Sequence, residues 1–122
     1  MRGTALAAML LFSGAALSDH VDVIEFTLNE DCSRQQYLEI VSDFREDRGS
    51  KNGYQAEVLT PIQSHNLTSM FWVGRSANAA AYGEAWDTWR KDLSNPNSVA
   101  SKLWTRFQEC STNISRRGYD TN

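Results

Sequence analysis

Histidine, cysteine and proline are scarce in this chain of 122 residues, which holds two of each. The two histidines, His20 and His65, stand far apart, and no set of His, Cys and carboxylate positions has the spacing of a zinc site. Neither a metal nor a cofactor is expected. The G-x-S-x-G elbow, the phosphate-binding P-loop and the GxGxxG turn are absent too, which removes the common serine hydrolases and nucleotide enzymes. Basic charge is short: 12 Lys and Arg against 15 Asp and Glu give a formal net charge of −3. No basic stripe could neutralise a phosphate backbone, so nucleic acid is not an expected partner. Arg116-Arg117 reads as a solvated pair in a polar tail. There is no internal repeat, low-complexity tract or linker.

What is present begins with "MRGTALAAMLLFSGAALS". Arg2 precedes an apolar run from Ala5 to Phe12, and Ala16 and Ser18 occupy the −3 and −1 positions of a cut before Asp19. That is the arrangement of a signal peptide. The run falls short of the ~20 apolar residues that span a bilayer. The reading is therefore residues 1–18 as signal peptide and 19–122 as one domain, secreted or periplasmic, with no membrane contact after cleavage. Loss of Arg2 takes the basic side chains from 12 to 11 and the net charge from −3 to −4.

In an oxidising compartment, an even count of cysteines favours a disulfide over a metal site or reactive thiol. Cys32–Cys110 is the expected bridge, and closing so long a loop is worth about 4 kcal/mol in the chain-entropy model. Two sequons, Asn66-Leu67-Thr68 and Asn113-Ile114-Ser115, would accept glycans in a eukaryotic secretory route.

Alternation over 20–30 predicts a first strand, with Ile24, Phe26 and Leu28 on one face. Residues 31–49 change to helical spacing: Ser33 with Gln36 matches a capping box, and Gly49 is the expected stop. Strands are expected over 54–64, with Pro61 at its end or on an edge, and over 67–76, joined as a hairpin at His65-Asn66. A second helix runs from Ser76 or Asn78 to Leu93, is broken at Pro96, and is followed by a helical piece over 98–110. Asn113–Tyr119 is a candidate short edge strand.

Strand, helix, strand, strand, helix and a last strand suit an antiparallel sheet with helices on one face, the α+β ferredoxin-like arrangement. In it the start of the first helix lies near the end of the second, so Cys110 can reach Cys32 if the segment after Pro96 folds over that end. The same order, with the aromatic-rich "SMFWVGRSANAAAYGEAW" leading from strand to helix, resembles the dimeric α/β-barrel superfamily, which includes antibiotic-biosynthesis-monooxygenase-like domains. The resemblance covers roughly residues 20–110. It implies pairing sheet to sheet and a pocket between each sheet and its helices.

On the second helix Tyr82, Trp86, Trp89 and Leu93 fall in one arc opposite Glu84, Asp87, Lys91 and Asp92, with Asp87 placed to pair with Lys91. Such a stripe is first of all a core anchor. Trp72 shares a strand face with Met70, while Phe71 and Val73 take the other. Neither face is polar, so both should bury something, which favours a homodimer through the sheet face. Trp72 is expected to support that dimer and is also the better ligand candidate. Trp104, at the border of the third helix's apolar arc, could cap a pocket mouth. The candidate ligand-binding set is Trp72, Met70, Tyr82, Trp86, Trp104 and Arg75, the last for an anionic group. Candidate catalytic groups are His65, Glu57 and Tyr54, of which Glu57 qualifies only if its strand face is buried.

Three functions fit these residues. The first is an exported domain that binds a small apolar or aromatic ligand. The second is a cofactor-independent monooxygenase or isomerase like the superfamily the chain resembles. The third is a protein-interaction domain with no small ligand. An apolar cavity favours the first, a cavity holding a desolvated polar group the second, and a filled core the third.

Overall fold

The computed structural model describes residues 19–122, so the leader expected at 1–18 lies outside the described residues. Strand β1 spans His20–Leu28 and helix α1 spans Arg34–Phe44. The capping box at the start of α1 is present in full: the Ser33 hydroxyl accepts from the Gln36 backbone at 3.1 Å, and the Gln36 side chain accepts from the Ser33 backbone at 2.8 Å. Helical winding does not stop at Gly49. It loosens to a π turn over Arg45–Gly49, tightens to a 3₁₀ turn over Ser50–Asn52, and ends at Gly53, whose φ of 68° is the one positive φ among the described residues.

Strands β2, Gln55–Leu59, and β3, Met70–Ser76, are shorter than their sequence patterns suggest. The expected two-residue turn is a connection over 60–69. Pro61 donates nothing to a ladder, and Asn66 offers its neighbours a local alternative. Its Oδ1 accepts from the Thr68 backbone at 2.9 Å and from the Thr68 hydroxyl at 2.7 Å, while its Nδ2 donates to Ser69. Helix α2, Ala79–Leu93, starts at the Asn78 cap, and α3, Val99–Cys110, starts at the Ser98 cap. The polar tail forms β4, a full strand over Ser111–Asp120 and longer than expected, because all but one of its residues pair with β1 and the extra one forms a bulge near Phe26.

The four strands lie in the order β2-β3-β1-β4, every neighbouring pair antiparallel. This is the ferredoxin-like α+β arrangement with one helix added before the last strand. The register puts Ile24 opposite Trp72 and Phe26 opposite Met70, on the face that α1 and α3 cover. Phe26, Tyr37, Ile40, Val41, Leu103 and Phe107 form the core there. Trp72 and Met70 therefore face the helices, which corrects the expectation that Trp72 supports a sheet-to-sheet contact; Phe71 and Val73 are on the outer face.

Cys32 and Cys110 are bonded, with Cα atoms 5.1 Å apart and 78 residues between them. The bond ties the start of α1 to the end of α3, where both helices meet β1. On the chain-entropy model it contributes about 4 kcal/mol. Cys32→Ser, or reduction of the native chain, is expected to lower the unfolding free energy in urea by roughly that amount, with wild type and variant converging under reducing agent.

Candidate functional site

Helix α2 differs from its two companions. Helices α1 and α3 each bury four residues, whereas α2 buries none, although its Tyr82, Trp86, Trp89 and Leu93 all face the sheet. They stand back because a cavity of about 440 Å³ lies between them and the body of the domain. Ile24 and Trp72 form its floor, Phe44 and Phe107 one wall, and Trp104 sits at its mouth with 37% of its surface exposed. The rings pack edge to face: Phe44 lies 5.1 Å from Trp72 and 5.8 Å from Trp89, and Phe107 lies 5.4 Å from Trp72.

One end of this apolar space is polar, and strand register explains how. Asp22 lies two residues before Ile24 and so on the same face, opposite Gly74 of β3 and Gly118 of β4. Tyr54, just before β2, reaches across Gly74. A Cβ at that glycine would lie 1.8 Å from the tyrosine hydroxyl oxygen, so only glycine leaves the path open. The Tyr54 hydroxyl then donates to Asp22 Oδ2 at 3.0 Å and accepts from the Trp72 indole at 2.8 Å. Arg116, opposite Ile24 on β4, donates to Asp22 through Nε at 3.0 Å and Nη2 at 2.7 Å. Its Nη2 also donates to the Tyr82 hydroxyl at 3.2 Å, and its guanidinium lies 4.4 Å from the Trp86 ring centre. At the other end Arg48 pairs with Asp92 and lies 5.5 Å from the Trp89 ring.

Protonation states follow from these neighbours. Burial raises the Tyr54 pKa well above the ordinary phenol value, and the Asp22 carboxylate adds to the shift. Tyr82 moves the same way for the same two reasons, burial first. For Arg116 burial acts downward, but the Asp22 hydrogen bonds and charge outweigh it and the net shift is upward. Both phenols are thus held protonated and the guanidinium charged.

Five candidates named from sequence come together here: Trp72, Tyr82, Trp86 and Trp104 among the ligand set, and Tyr54 among the catalytic set. The others do not join them. Met70 is core beneath the floor. Arg75 is on the outer face, 3.6 Å from Asp19. Glu57 is exposed on that same face opposite Val73, and His65 is exposed in the 60–69 connection. Glu57 therefore fails the burial condition set for it. On the polar side of α2, Asp87 pairs with Arg90 at 2.9 Å rather than with Lys91. The residues that sequence reasoning missed are Asp22 and Arg116. Arg116 keeps 40% of its side chain exposed, but β4 also brings it to the cavity. Asp22 carried a signal, a carboxylate in phase with Ile24 and Phe26. Arg116 carried none, since its partners are remote in the chain. Among the described residues no group of three His, Cys, Asp or Glu could hold a metal ion, and no helix is long and apolar enough to cross a membrane.

No protein-family model matches the chain, and no curated protein matches it in sequence. By structure it is similar to SnoaB, a cofactor-independent oxygenase from Streptomyces nogalater, with a TM-score of 0.56 and 12% identity over 84% of this chain and 91% of that one. It is also similar to hydroxynitrile lyase from Passiflora edulis, with a TM-score of 0.53 and 11% identity over 88% of this chain and 95% of that one. A dimeric protein of unknown function and ferredoxin-like fold from Bacteroides fragilis NCTC 9343 overlaps at 0.44, with 13% identity over 84% of this chain and 94% of that one. At these identities the likeness is one of fold alone: the chain shares with SnoaB and the Passiflora protein its α+β architecture.

Tyr54 links floor to polar end, so its hydroxyl can be tested directly. Tyr54→Phe leaves the Trp72 N–H and one Asp22 oxygen short of a partner, and about 1–3 kcal/mol of stability should be lost at neutral pH. The raised phenol pKa also sets a pH dependence. The folded chain holds this proton more tightly than the unfolded chain, which releases it near 10. The contribution is complete below that pH and is lost as pH climbs above it. Urea unfolding at pH 7 and above pH 10 should show a smaller alkaline loss in Tyr54→Phe than in wild type.

Proposed function

We propose that this domain binds a small apolar or aromatic ligand between α2 and the sheet. One observation carries the reading: a helix with two tryptophans on its inner face buries no residue, because about 440 Å³ separates it from the sheet. Unfilled apolar surface of that extent costs stability, and an apolar guest would remove it from water. The volume suits a ligand of two or three fused rings. With the leader read at 1–18 and the disulfide, the domain works outside the cytoplasm, secreted or periplasmic.

A second reading has its own support. Asp22 and Tyr54 supply a desolvated polar pair at the cavity's end, with Tyr82 and the partly exposed Arg116 beside them, and a desolvated polar group is the condition that favours an enzyme. SnoaB is described as a cofactor-independent oxygenase and the Passiflora protein as a hydroxynitrile lyase, so chemistry without a cofactor is compatible with this fold. Binding remains the better account of this chain's residues. The two phenols are protonated, the carboxylate is occupied by Arg116 and Tyr54, and His65 and Glu57 lie elsewhere. The group that remains can orient and polarise a ligand; the nearby His20, its ring 4.8 Å from that of Tyr82, has its Nδ1 held by Asp120 at 3.0 Å and does not line the cavity.

The outer sheet face supports a homodimer. Val23 and Phe71 are partly exposed there beside the buried Val21 and Val73, in an apolar strip bordered by Glu25, Glu57 and Arg75. A second copy laid sheet to sheet would bury that strip.

Two measurements check these statements. Native mass spectrometry of the chain from its own host should show a non-covalent adduct. Added N-phenyl-1-naphthylamine should bind to the stripped protein, with affinity about tenfold weaker in Trp86→Ala; no binding by either route would reject the ligand reading. For the dimer, light scattering should give two copies for wild type and one for Phe71→Glu, and a monomeric wild type would remove the second copy.

A further inference from the structure

The cavity's polar end is one-sided in the hydrogen bonds it can still make. The Asp22 carboxylate is 2% exposed and sits behind the guanidinium. It accepts from Arg116 twice and from Tyr54 once, and it is not among the residues that line the cavity. The Tyr54 hydroxyl is used both ways, as donor to Asp22 and acceptor from Trp72. Two cavity-lining residues keep donor capacity: Arg116, whose Nη1 makes no hydrogen bond among the described residues, and Tyr82, whose hydroxyl is kept protonated beside it. Each can donate, and the lone pair of Tyr82 on the inner side is taken by Arg116.

The charge balance narrows the partner further. Asp22 already neutralises Arg116, and the pair has no net charge to give an incoming anion. A ligand carboxylate would shed its water in an apolar space and meet Asp22 just behind the guanidinium. A neutral oxygen avoids both penalties while still receiving a charge-assisted hydrogen bond. Trp86, stacked on the guanidinium, holds that donor plane at the end of the cavity.

Building on the binding reading above, we propose that the ligand is an uncharged apolar compound carrying a carbonyl-type acceptor oxygen, which Arg116 and Tyr82 anchor at the end of the cavity while its apolar body lies between Trp72 and Trp86. Acids of the same skeleton are excluded. Arg116 thus selects for an acceptor and, through Asp22, against charge.

Three matched probes test this by equilibrium dialysis at pH 7: naphthalene, 2-acetonaphthone and 2-naphthoate. Wild type should bind the ketone at least about tenfold more tightly than the hydrocarbon, the ratio expected of one hydrogen bond to a charged donor. It should bind the acid no more tightly than the hydrocarbon. Arg116→Lys keeps the charge beside Asp22 but removes Nη1, and should cut the ketone-to-hydrocarbon ratio to about threefold or less. Tyr82→Phe should lower the same ratio by a smaller factor, and it carries the test if the lysine variant does not fold. Equal affinities for ketone and hydrocarbon in wild type would overturn the anchor and leave the apolar binding site standing. Tightest binding of the acid would overturn the preference for a neutral ligand. Failure of all three probes to bind would overturn the binding reading itself, and this inference with it.

Discussion

A carboxylate that is almost fully buried must be satisfied from every side, and Asp22 sets that demand at the centre of this sheet. Its partners come from three other places in the chain. Arg116 arrives on β4, Tyr54 comes from the entry to β2, and Trp72 is drawn in through the Tyr54 hydroxyl. Glycine at 74 is the steric counterpart of the same demand, because Tyr54 crosses the sheet where any side chain would stand. Removing one member leaves another buried group without a partner, so these residues act as a unit. The unit also fixes where a polar atom can meet the cavity.

Around that unit the domain divides its apolar surface three ways. Helices α1 and α3 close onto the sheet and form a conventional core, locked at one end by the Cys32–Cys110 bond. Helix α2 stands off and is held at its two ends by arginines that pair with carboxylates and lie over tryptophans: Arg116 with Asp22 and Trp86, and Arg48 with Asp92 and Trp89. The outer face of the sheet carries the rest, Val21, Val23, Phe71 and Val73. Packing that is tight in one place and open in another is how a small domain keeps stability while leaving room for a guest.

Much of the frame was legible in the sequence for local reasons. The capping box at Ser33, the helical arc of Tyr82, Trp86 and Trp89, and the break at Pro96 each depend on residues within a few positions of one another, and each is found in the structure. The cysteine pairing was legible because compartment and fold pointed the same way. Strand limits were less so, since Asn66 closes a turn with its own neighbours where a hairpin pattern suggested ladder. The candidate site was legible only in its aromatic half. Face assignment along β3 depends on which side the helices dock, and alternation alone could not say that Trp72 faces inward. Arg116 could not be read at all, because its place is defined by cross-strand register with β1 and a bulge after Glu25.

That dependence on distant register has a consequence for how the site comes into being. Asp22 and Arg116 are 94 residues apart, and the loop closed by the disulfide contains neither. Every apolar wall except Ile24 is carried between Cys32 and Cys110, whereas the charged pair of the polar end, Asp22 and Arg116, is carried by β1 and β4, outside that loop. Before the disulfide forms, contacts between segments so far apart in sequence are made late, after the entropy of closure has been met by nearer ones. The trough between helices and sheet can therefore exist before Arg116 reaches it, and the arrival of β4 gives an apolar groove its charged end.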